Sequence, residues 1–138
     1  MKKCRHRLWL CLPFVSVALV DVGVTLHGQE AAYWAGDYSA FNEASPIFAW
    51  ALAMHPLVFV AEFAVWCLVF SLVLLVLPRL LSEIVALALV SGHTWGATTW
   101  LLWRYEVGYW LCIAFFVFTA TVFIFSYRRS MMEVRHED

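Results

Sequence analysis

Four long apolar runs, at 8–27, 56–77, 80–103 and 108–126, leave this chain little choice but to fold across a membrane. A hydrocarbon core about 30 Å thick takes roughly 20 residues per helical crossing, so four crossings with short connections use up a chain of 138 residues. Composition agrees, because 64% hydrophobic and 14% charged residues, with a mean hydropathy of +0.79, exclude a soluble domain. The expected fold is an all-α integral membrane protein with four transmembrane helices, forming one membrane domain over 1–138. No room remains for a separate catalytic domain. A net charge of -1 without a concentrated basic surface also excludes nucleic acid as a partner.

The run from Leu8 follows Lys2, Lys3, Arg5 and Arg7 and continues past the small residues Ser16-Val17-Ala18, which favours an uncleaved anchor over a signal peptide. A second apolar stretch, 46–77, would be about 48 Å long as one helix and overshoots the membrane core. Ser45-Pro46 is a helix start and His55-Pro56 a kink, so 46–54 reads as a short interfacial helix and 56–77 as the span. Between the first two spans, the loop 28–45 carries Tyr33, Trp34, Tyr38 and Phe41, and is expected to fold over the outer mouth of the bundle. The tail 127–138 has mixed charge and reads as a solvated cytoplasmic end.

Basic residues set the expected topology. With the N-terminus cytoplasmic, Lys2, Lys3, Arg5, Arg7, Arg79, Arg128, Arg129 and Arg135 lie inside and only Arg104 outside, the positive-inside pattern. Both termini are then cytoplasmic, and the expected location is a prokaryotic cytoplasmic membrane. Trp50, Trp100, Trp103, Tyr105 and Trp110 fall near the outer boundary, where amphipathic rings prefer to sit. Cys4, Cys11, Cys67 and Cys112 form no CxxC pair and read as packing or free thiols, with Cys4 beside lysines where acylation occurs in some hosts.

Ionisable groups inside a bilayer cost about 2.5 to 3.5 kcal/mol each on insertion scales, so each calls for a partner or a purpose. Asp21 and His93 each lie 13 residues into a helix entering from inside, about 20 Å up, and Glu62 lies about 9 to 10 Å below the outer boundary. All three share one depth. His55 stands two turns above Glu62 and Thr25 one turn above Asp21, while Gly92 and Gly96 offer close helix approach. Four uses compete: interhelical hydrogen bonding, a proton or cation pathway, a metal or catalytic centre, and lipid-headgroup binding. The metal is left unspecified, because neither HExxH nor a paired-histidine motif is present. His27 and Gln29 read as solvated interface residues, and Glu83 as an ion-pair partner of Arg79 one turn earlier.

Asp21-x-x-x-Thr25 on the first helix, followed by Asn42-Glu43-Ala44-Ser45-Pro46, resembles a family of uncharacterised small prokaryotic integral membrane proteins. Members of that family carry an Asp-x-x-x-Thr first helix and a Glu-x-Asn-Pro signature. Ser45 stands where the family has asparagine, and the likeness covers about a fifth of the chain. The resemblance brings no activity with it, but it adds Thr25, Glu43 and Pro46 to the residues of interest.

No catalytic residue is assigned, since no serine lies in a G-x-S-x-G setting and no haem or phosphate-loop motif is present. No cofactor is expected. The sequence favours a binding or assembly protein with an outer-leaflet site for a proton, cation or small ligand, built from Asp21, Thr25, Glu43, His55, Glu62 and His93. Its partners are the lipid bilayer and either a second copy or another membrane protein. The competing readings are an intramembrane metal-dependent enzyme and a purely structural subunit of a membrane complex.

Overall fold

The computed structural model describes residues 5–135, which leaves Lys2, Lys3 and Cys4 outside the described residues. Six α-helices appear in chain order: α1 (Arg5–His27), α2 (Ala31–Trp34), α3 (Pro46–Met54), α4 (Pro56–Val76), α5 (Arg79–Arg104) and α6 (Gly108–Arg135). Of these, α1, α4, α5 and α6 are long and apolar enough to cross a membrane. No strand occurs among the described residues.

Polar contacts at the two ends fix the helix directions. Arg7, at the start of α1, donates from its guanidinium to the carbonyls of Leu75 and Leu77 at 2.8 and 2.7 Å, where α4 ends. The Trp9 indole donates to Glu133 near the end of α6 at 3.0 Å. At the opposite end, His27 bonds and stacks with Tyr105, which caps α5. α1 therefore runs parallel to α5 and antiparallel to α4 and α6. It is the central helix, packed against all three.

Phe14, Val17 and Ala18 of α1 are fully buried, and they meet Ala86, Val90 and Ala97 of α5 together with Phe115 of α6. Outward faces are as apolar as the core: Leu57, Val76 and Leu80 are more than two-thirds exposed. Such a surface suits hydrocarbon and not water.

The break between α3 and α4 is complete. His55 is extended, with φ −177° and ψ 145°, and its Nδ1 accepts the Leu57 N–H at 3.1 Å, so the residue ends one helix and caps the next, with Pro56 at N1. A proline kink within one helix would keep its backbone ladder on both sides; here an imidazole takes over that function at the junction. Ser45 occupies the cap position of α3, but its side chain makes no cap hydrogen bond; Oε1 of Glu43 instead accepts the Ser45 N–H at 2.7 Å.

At its far end, α6 does not stop at Ser126 but continues to Arg135. No glycine or proline interrupts 127–135, and the Trp9–Glu133 bond holds that extension against α1. The expected solvated tail is thus helical for most of its length.

Segment 28–45 holds α2 and a 3-10 turn at Tyr38–Ala40, with Gly36 supplying the positive φ of 104° that turns the chain between them. The Tyr33 ring is fully buried, and its hydroxyl donates to the Leu52 carbonyl at 3.1 Å, fastening this segment to α3.

Candidate functional site

One large cavity, about 800 Å³, opens among α1, α4, α5 and the 42–48 stretch. Its polar end begins on α1, where Asp21 and Thr25 stand one turn apart on one face, with Gln29 two residues past the helix end. Asp21 and Thr25 line the cavity. Gln29 lies just beyond them and is buried, not solvated as its sequence position suggests. Its amide donates to the carbonyls of Thr25 at 3.0 Å and Asn42 at 2.9 Å, and its oxygen accepts the Asn42 N–H at 2.8 Å. This clamp ties the 42–45 stretch to the end of α1, and Asn42, Glu43 and Ser45 line the cavity.

Across from α1, the Nδ1 of His93 lies 2.8 Å from the Asp21 carboxylate. The imidazole sits between Phe14 and Phe63, with ring centroids 5.7 and 5.9 Å away. Few polar groups can compete for it there, so the carboxylate decides its orientation. Gly96, one turn further along α5, makes the approach feasible. A Cβ at that position would stand 2.8 to 3.1 Å from the Asp21 carboxyl atoms.

Gly92 behaves differently from its neighbour one turn away. A Cβ there would meet nothing within 4 Å, so this glycine widens the cavity and packs no helix, contrary to the close approach that its spacing suggests.

Glu43 is partly buried, and that burial raises its carboxyl above the usual range. The Asp21 charge pushes in the same direction, while the N–H groups of Ser45 and Ala44 oppose it. At the mouth, Arg104 pairs with Glu30 at 2.7 Å and lies 6.0 Å from the centre of the Trp100 ring. Away from this polar end the wall becomes aromatic and apolar, with Phe59, Phe63, Trp66 and Phe70 of α4 facing Val85, Ala88 and Leu89 of α5.

Of the six residues singled out from the sequence, Asp21, Thr25, Glu43 and His93 line this cavity, while His55 and Glu62 do not. His55 is occupied as the cap of α4 and packs on Tyr38 with centroids 5.1 Å apart. Oε2 of Glu62 is buried without a hydrogen-bond partner among the described residues. The three-way meeting at one depth is therefore a pair, Asp21 and His93. Cys11, Cys67 and Cys112 are free thiols. Glu83 accepts from Arg79 at 2.9 Å, an ordinary one-turn ion pair.

Three features escaped the sequence reading: the Gln29 clamp, the distinct duties of Gly92 and Gly96, and the aromatic wall. The first was visible as a polar stripe at 21, 25 and 29, and the last as aromatics at 59, 63, 66 and 70, the i, i+4, i+7, i+11 spacing of one helix face. Nothing local to either glycine distinguishes the two.

Comparison with known protein families, curated proteins and solved structures finds no match to this chain.

Proposed function

We propose that this chain is a multi-pass membrane protein that binds a small cationic ligand or a proton at the Asp21–His93 pair. The bilayer is its solvent, and a second copy or another membrane protein can pack on its apolar exterior. In this reading both termini face the cytoplasm of a prokaryotic cell and the cavity lies in the outer leaflet. The basic residues at the end that carries Arg7, Arg79 and Arg128 support that orientation. The resemblance drawn from Asp21, Thr25, Glu43 and Pro46 supports the prokaryotic setting, and the first three of these residues line the cavity.

The observation that carries the binding reading is a carboxylate and an imidazole bonded at 2.8 Å on the wall of a cavity of about 800 Å³. A pair that served only to join helices would need no such space beside it. The helix-packing reading also has a specific support, because the same bond joins α1 to α5 over Gly96. A metal centre has less, since no cluster of three metal-binding side chains exists among the described residues.

Nitrogen-15 NMR of His93 in a membrane mimic decides between the first two. Binding predicts that the titration midpoint of His93 moves when sodium ions or a small amine are added, and that Asp21→Asn abolishes the movement. A midpoint indifferent to every added cation overturns the cation site, and an imidazole that keeps one protonation state across the accessible pH range overturns the proton site and assigns the pair to helix packing. Orientation is checked by labelling substituted cysteines with an impermeant reagent. Positions Ser39 and Val107, both exposed, should react from outside, and Met132 should not.

A further inference from the structure

The cavity changes character along its length. Its α5 wall runs from Val85 to Arg104, about 28 Å at the helical rise per residue, with the polar groups gathered toward the Arg104 end. Ala88, Gly92 and Trp95 on that wall are exposed, so the cavity opens sideways between α4 and α5, along the segment that crosses the membrane. A volume of about 800 Å³ lies within the range of sites for organic molecules of moderate size, roughly 300 to 1,000 Å³.

The polar end has a definite charge preference. Asp21, Glu43 and Glu30 stand there with Arg104, which Glu30 engages, and the His93 imidazole, which Asp21 engages, so Glu43 is the acidic group left without a basic partner among the described residues. Trp100 and Trp103 add π faces, and the Arg104 guanidinium beside the Trp100 ring shows that a cation is accommodated on such a face. A phosphate or carboxylate head would meet Glu43, with Arg104 and His93 both already engaged by carboxylates.

We propose that this cavity takes a lipophilic organic cation from the membrane: an ammonium group seated between Asp21 and Glu43, with a single apolar body lying along the aromatic wall of α4. The inference rests on the binding reading and names its ligand class. Entry is lateral, past Gly92, so that the apolar body need not pass through water.

The test uses the full chain in dodecyl maltoside micelles, with dodecyltrimethylammonium as probe, isothermal titration as readout and protein-free micelles subtracted. Saturable binding at one probe per chain is expected, weakened at least tenfold by Glu43→Gln and by Gly92→Leu. The second variant fills the entry without touching a charge, and Ala88→Leu on the same open face repeats the test if Gly92→Leu does not fold. Dodecanol, with the same tail and no charge, should give only the protein-free signal. Lysophosphatidylcholine, whose ammonium is joined to a phosphate, should not displace the probe. Displacement by it at equal concentration overturns the assignment in favour of a lipid headgroup. Equal binding of dodecanol, or unweakened binding by both filled variants, overturns the inference as well. Absence of saturable probe binding, with the sodium-dependent His93 midpoint intact, overturns this ligand class and leaves the binding reading standing.

Discussion

α5 has two unlike neighbours. Toward α1 it is closed: Gly96 admits the Asp21 carboxylate, His93 bonds it, and Ala86, Val90 and Ala97 pack without space against Phe14, Val17 and Ala18. Toward α4 it is open, with Gly92 facing nothing and aromatic rings standing across a gap. The same helix, with the same alternation of small and polar residues, thus forms a seam on one side and a cavity on the other. Small residues permit close approach in a membrane but do not enforce it; a polar partner on the opposing helix decides whether the approach is used. On the α1 side that partner is Asp21, whereas α4 presents only apolar and aromatic side chains to the cavity.

The sharpest way to break this contrast is to fill each glycine in turn. Gly96→Leu drives a side chain into the Asp21 carboxylate, and should cost about 3 kcal/mol through overpacking and loss of the His93 bond. Gly92→Leu, one turn away, should change stability by less than about 1 kcal/mol because its space is empty. Denaturant-induced unfolding in one detergent, followed by circular dichroism, measures both, and equal losses would erase the distinction between the two sides.

A smaller effect isolates the seam's polar bond. The double-mutant cycle of Asp21→Ala and His93→Ala should give a coupling between about 0.6 and 1.7 kcal/mol, the mean and the maximum measured for interhelical hydrogen bonds in a membrane protein. Additive losses would mean that packing alone holds α1 to α5.

The smallest effect lies at the mouth, and its size depends on pH. A carboxyl raised in the folded chain holds its proton more tightly there than in the unfolded chain. The contribution of Glu43 to stability is thus greatest in acid, and falls as pH rises from the ordinary carboxylate range through its raised folded value. Glu43→Gln keeps an oxygen for the Ser45 N–H and removes the charge. The variant should melt slightly above wild type at neutral pH and level with it in acid. Thermal midpoints at the two pH values give the comparison, and a variant less stable at neutral pH would show that the ionised carboxylate is favoured by the fold.

Helix content was readable in the sequence because apolar runs of membrane length, bounded by Pro46, Pro56 and Pro78, admit few other structures. The depth of Asp21 and His93 was readable for the same reason: rise per residue fixes height once a helix entry is known. Rotation was not. Glu62 has a suitable height, yet Phe59, Phe63, Trp66 and Phe70 supply the α4 wall of the cavity, and Glu62 has no place in its lining. A helix apolar on nearly every side has no hydrophobic stripe, and the aromatic spacing at 59, 63, 66 and 70 marks one face without saying whether it turns to protein or to lipid. His55 was legible as a break but not as a cap, because that role depends on a ring nitrogen finding the N–H two residues ahead.

The Arg7 guanidinium on the last carbonyls of α4 bears on selectivity. α4 is held at that end by two charge-assisted bonds, and at the other by Phe59 beneath the edge of Phe48, with centroids 5.9 Å apart. Between Pro56 and Val76 it contains no glycine and no further proline, so it has no joint at which to bow. A rod pinned at both ends keeps a constant distance from its neighbour. Under the lateral entry proposed above, the width of the opening is then a gauge that sorts ligands by the girth of the part that slides between the helices.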